Sequence, residues 1–221
     1  MKPKIIFLES QYKFSAGNKN RVEKLINETE KKVADLLKIN WQINFVLYPY
    51  TLKPSMPSHG GIHAMDWIEI IIPSIFSDWT LAEIQGTVCH EMHHAARGIY
   101  QYNSNGTHPL KEIIFSEGMA MSFESEFIPG FISRGAAYSP QEITKILPLI
   151  REQGDCSDYN HSWWFKRPQA PGYGAGKYFM DLIFKQNPYL NSAMLVRAPV
   201  AELENLLFKS SGVNIQARPK T

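Results

Sequence analysis

Cys89-His90-Glu91-Met92-His93-His94-Ala95-Ala96-Arg97 decides the reading of this chain, because it places two histidines four residues apart inside a helical pattern. Leu81, Ile84, Val88, Met92, Ala95 and Ile99 recur as one apolar stripe behind Thr80-Leu81-Ala82-Glu83, a capping-box pattern, so a helix is predicted over about 81–98. Each helical residue turns the side chain by about 100°, so His90 and His94 point within about 40° of each other, one turn apart. Two imidazoles so placed can share one ion at roughly 2.0–2.1 Å per Zn–N bond. Glu91 lies off that shared face and suits a general base acting on the ion's water, whose pKa zinc lowers to roughly 7. His93 points about 60° away from His90 and is expected beside the site or on the surface, not as a ligand. Cys89 points about 100° away from His90 and is expected to be buried packing.

A catalytic zinc site takes three protein ligands and leaves one position open. The third ligand is not supplied by this helix: a glycine at 97 and a histidine at 100 would do so, and those positions hold Arg97 and Tyr100. Pro109 suits the start of a second helix running to about Phe127, before Pro129-Gly130. Of its carboxylates, Glu117 stands near the helix middle and is the expected ligand. Glu124, seven residues on, shares that face within about 20° and is a candidate to orient a ligating imidazole, whereas Glu112 and Glu126 point elsewhere.

His90-Glu91-x-x-His94 followed by Glu117-x-x-Ala120 resembles a gluzincin peptidase core. Gly60-Gly61, the run to Pro73, His90 to Arg97, Glu117-Gly118-Met119-Ala120, Trp163-Trp164-Phe165 and Gly172-Tyr173-Gly174-Ala175-Gly176 resemble, more closely, the YjaZ-like predicted zinc-dependent proteases. That resemblance covers about residues 55–190. It implies a zincin-like core: a small sheet, the histidine helix, the glutamate helix and a helical remainder.

Outward from the two metal helices, residues 4–9 read as a short strand, and Val22, Leu25, Ile26, Thr29, Val33, Leu36 and Leu37 as an amphipathic helix. Trp41 to Tyr48 alternates as a half-buried strand. Pro49, Pro54, Pro57, Gly60 and Gly61 read as a loop, and Trp67 to Ile72 as a third strand whose edge is expected to border the cleft and accept an extended peptide. Ser139-Pro140-Gln141-Glu142 opens a further helix, and others are expected near 176–186 and 200–209. Strands early and helices late predict an α+β fold in one domain over 1–221, with a sheet part to about 76 and a helical metal-binding part from 77.

The 221 residues, 44% apolar and 20% charged, can bury a core without staples, and a net charge of +2 gives no reason to expect nucleic acid. Two distant cysteines, Cys89 and Cys156, suit a reducing compartment. With only four consecutive apolar residues at 5–8 and no run approaching about 20, neither a secretory leader nor a membrane span is expected, and the protein is read as a cytoplasmic monomer acting on peptide or protein substrates. Gly172 to Lys177 is not a phosphate loop, since Pro171 stands where its first glycine belongs and Tyr178 where its Ser/Thr belongs. Tyr173, read as standing just before a helix, is the expected oxyanion donor, with His161 as its competitor. Trp163, Trp164 and Phe165 are expected in the core. The expected function is thus a hydrolase with one zinc per chain, His90, His94 and Glu117 as ligands and Glu91 as base. One alternative is a zinc-binding module without catalysis, which the retained Glu91 disfavours. A carboxylate-bridged di-iron protein is another, but it needs a second Glu-x-x-His that the sequence lacks.

Overall fold

The computed structural model describes residues 2–9, 13–50, 59–73, 78–99, 108–133, 138–166, 170–213 and 215. The chain forms two compact units, one of residues 1–101 with 127–131, the other of 102–126 with 132–221. It is a mixed α+β protein with a four-stranded sheet and a predominance of helix.

In the first unit the order is β1 (Ile5–Phe7), α1 (Ala16–Leu37), β2 (Asn44–Tyr50), β3 (His59–Ala64), β4 (Trp67–Pro73) and α2 (Asp78–Arg97). Ser15 accepts the Asn18 N–H at 3.1 Å and caps α1, whose Val22, Ile26, Thr29, Val33 and Leu37 form one buried stripe. The sheet order is β1-β2-β4-β3, parallel from β1 through β4, with β3 antiparallel on the edge. Ile68, Ile70 and Ile72 are buried and alternate with half-buried Glu69 and Ile71, as one covered face requires. β2 is central, and Phe45, Val46 and Leu47 are all buried, so it lacks the half-exposed alternation expected of it. Helix α2 packs on α1 and against β3 and β4.

Three sequence expectations are corrected here. Gly60 and Gly61 are strand, not loop, while 51–58 lie outside the described residues. β4 is hydrogen-bonded to β2 on one side and β3 on the other, so it offers no edge, and β3 is the edge strand. Thr80 lies inside α2 and is buried, so it is not the cap that starts the helix.

The second unit holds α3 (Leu110–Phe127, up to Glu126), α4 (Pro140–Gln153), α5 (His161–Phe165), α6 (Pro171–Gln186), α7 (Ser192–Leu195) and α8 (Val200–Ser211). Their core gathers Leu110, Ile114, Phe115, Met119, Trp164, Phe179, Met180, Ile183, Leu203 and Leu207. Trp164 and Phe165 are core as expected, whereas Trp163 is only partly buried. Ser139 caps α4 by accepting the Glu142 N–H. Lys111, almost fully buried, pairs with Asp155 at 3.0 Å and Glu204 at 2.8 Å, which tethers the start of α3. α6 begins five residues earlier than the expected 176: Pro171 takes the first helical position, where its missing N–H costs nothing. Helices α3 and α6 touch backbone to backbone at Gly118 and Gly176, where a Cβ on Gly176 would overlap the Ile114 carbonyl oxygen. Among the described residues no helix is long and apolar enough to cross a membrane.

Candidate metal centre

The last two turns of α2 carry the histidine pair. His90 Nε2 and His94 Nε2 stand 3.0 Å apart, with ring centroids 4.6 Å apart and planes at 78°. The spacing is the one a helix imposes on residues four apart. Glu91 and His94 are buried and His90 is half-buried. His93 and Cys89 have no exposed surface, so of the two places open to His93 the interior is the one it occupies.

Glu117 lies in the middle of α3, half-buried, and one carboxylate oxygen with one ring nitrogen from each of His90 and His94 forms a set of donors all within 4.8 Å of one another. Two nitrogens at 3.0 Å can both sit about 2.0–2.1 Å from one ion. The donor set of two imidazoles and one carboxylate is the chemistry that zinc accepts in sites that keep a position open. Glu124, one face with Glu117, is buried in α3. Glu126 is engaged elsewhere, where its carboxylate accepts the Ser192 N–H at 3.1 Å and the Ser192 hydroxyl at 2.9 Å.

Tyr173 lies within the first turn of α6, not ahead of it, and packs edge-on against Phe165 with centroids 5.5 Å apart. His161 opens α5, capped by Asn160, and its ring lies 5.2 Å from that of Phe165. Burial lowers the His161 pKa, Lys166 lowers it further, and the Glu117 carboxylate pulls it back up. Tyr159 feels the same carboxylate: burial first and Glu117 second push its phenol up to about 12. Tyr159 was not singled out from the sequence, although it shares the polar turn Asp158-Tyr159-Asn160 with His161. Tyr100 lies outside the described residues, and Arg97 closes α2.

Fold and site together define a mixed α+β protein with a His-His-Glu cluster suited to a metal ion. A family model described as predicted Zn-dependent protease (DUF2268) matches residues 22–198, most of the chain, and the protein belongs to that family. This is the family resemblance that the motifs carry. No curated protein matches the chain.

Proposed function

We propose that the protein is a zinc-dependent peptidase of zincin type, in which His90, His94 and Glu117 hold one zinc ion. The observation that carries this reading is the convergence of those three donors beside a buried glutamate on the same helix as the histidines. Zinc held there supplies a Lewis acid that polarises a carbonyl and makes water a nucleophile at neutral pH. Glu91 takes the proton from the attacking water and passes it to the leaving amine, as a base adjoining but not occupying the ligand set can do. Tyr173 donates a hydrogen bond to the oxygen on which negative charge develops, with His161 as the rival donor. Edge strand β3 packs on α2, so an extended peptide adding to β3 runs alongside the helix that carries Glu91.

The reading is tested by digesting a peptide library with zinc-loaded protein and with the Glu91→Gln variant, reading new termini by mass spectrometry. Cleavage by the wild type alone supports peptidase action. Zinc bound with no cleavage by either protein would favour the non-catalytic zinc-binding module instead.

A further inference from the structure

Gly60, on the edge strand, lies against the glutamate read as base. Its strand partner is Ile70, a fully buried residue of β4, so position 60 faces the covered side of the sheet, where α2 packs. A Cβ built on Gly60 would stand 2.5 Å from Thr87 Cγ2, 2.6 Å from Glu91 Oε1 and 2.7 Å from Glu91 Cγ. Real contacts of that kind are wider by about an ångström, since apolar heavy atoms settle at roughly 3.5–4.0 Å. Thr87 precedes Glu91 by one helical turn and is held from behind: its hydroxyl donates to the Glu83 carbonyl at 3.0 Å, which fixes its side chain. The Glu91 side chain therefore lies flat on the β3 backbone, in the space that any other residue at 60 would fill. A glycine inside a strand weakens the strand and commonly marks a place where another group must come close.

We infer that Gly60 is a positioning residue, whose missing side chain sets where the Glu91 carboxylate lies. The inference rests on the reading of Glu91 as the base for its consequence in catalysis, but the contact itself is independent of that reading. A base must come within about 2.6–3.2 Å of the proton it takes, and a misplacement of about 1 Å can cost on the order of a hundredfold in rate. The nearest atoms to a Cβ at position 60 belong to Thr87 and Glu91, so the substitution acts first on the glutamate.

The test is a double-mutant cycle in thermal unfolding of the metal-free protein, combined with zinc affinity and turnover. Gly60→Ala is expected to lower Tm in the wild-type background and to lower it less in the Glu91→Ala background, where the overlap with Glu91 is gone and only that with Thr87 Cγ2 remains. If Gly60→Ala alone does not fold, recovery of a folded Gly60→Ala/Glu91→Ala protein reports the same coupling. Folded Gly60→Ala is expected to bind zinc within about threefold of wild type and to lose about a hundredfold in kcat with little change in KM. Thr87→Ala added to Gly60→Ala should not restore turnover. Additive Tm changes, or full turnover regained on adding Thr87→Ala, would overturn the inference. Full activity of Glu91→Gln would instead overturn the role of Glu91 as base and leave the stability coupling untouched.

Discussion

His90 Nε2 faces His94 Nε2 at 3.0 Å across one turn of α2. Only one of the two nitrogens can carry a proton in that contact, and a shared metal ion needs the lone pair of both. The helix itself sets the two candidate ligand atoms one turn apart. Loss of a residue that merely supports a metal ligand costs about 10–100-fold in affinity, and loss of a ligand must cost more. His94→Ala is therefore expected to weaken zinc binding by at least about 100-fold in a chelator competition. Zinc affinity within about threefold of wild type would contradict its role as a ligand.

Glu91 and Glu117 should separate by function. Glu91→Gln is expected to abolish hydrolysis with zinc still bound, because the proposed base acts on water and not on the metal. Glu117→Gln is expected to weaken zinc binding itself. Measuring zinc affinity and turnover for both variants decides it, and the reverse pattern would exchange the two roles.

The oxyanion donor is tested by Tyr173→Phe, which keeps the ring packed on Phe165 and removes only the hydroxyl. A tenfold or larger fall in kcat is expected, towards the roughly hundredfold to thousandfold that removal of one such donor costs. His161→Ala is expected to cost less. Wild-type turnover in Tyr173→Phe would remove the tyrosine from the account, and the opposite ranking would assign the role to His161.

Much of this was legible in the sequence because the signals were periodic. The apolar stripe from Leu81 to Ala95 located α2, and the helical repeat alone brought His90 to His94. Pro109 placed the start of α3, which carries Glu117. What failed involved glycine. Gly60-Gly61 reads as loop because glycine disfavours strands, yet β3 uses Gly60 to admit the side chains of Thr87 and Glu91. Gly172, Gly174 and Gly176 disguised the start of α6 for the same reason, and Pro171 at its first position was the signal that should have overruled them. Gly176 is there because α3 passes too close for a side chain, a long-range fact that no local pattern contains.

That crossing makes its own prediction. A Cβ on Gly176 would meet the Ile114 carbonyl oxygen, the Gly118 nitrogen at 2.8 Å and the Gly118 Cα at 3.1 Å, none of which can rotate away. Gly176→Ala is expected to destabilise the protein by about 1–3 kcal/mol, the usual cost of overpacking. Because Glu117 adjoins Gly118, zinc affinity should fall in the same variant. An unchanged urea midpoint would show that the helices can part without cost.

Alkaline pH provides a test in the second unit. The Tyr138 hydroxyl donates to Asp181 Oδ2 at 2.9 Å, and burial, followed by that carboxylate, raises its pKa to about 12. A pKa raised on folding contributes stability that is whole below the unfolded value near 10 and is lost as pH rises towards 12. The stability advantage of wild type over Tyr138→Phe is therefore expected to shrink as pH rises from about 10 towards 12 in urea unfolding. A gap that stays constant would contradict the assignment.

Zinc stoichiometry tests the central claim most directly. Protein reconstituted with zinc at neutral pH, freed of excess metal and measured by elemental analysis is expected to hold about one zinc per chain, as one three-ligand site requires. Less than about 0.1 zinc per chain would contradict the metal centre and, with it, the proposed hydrolase.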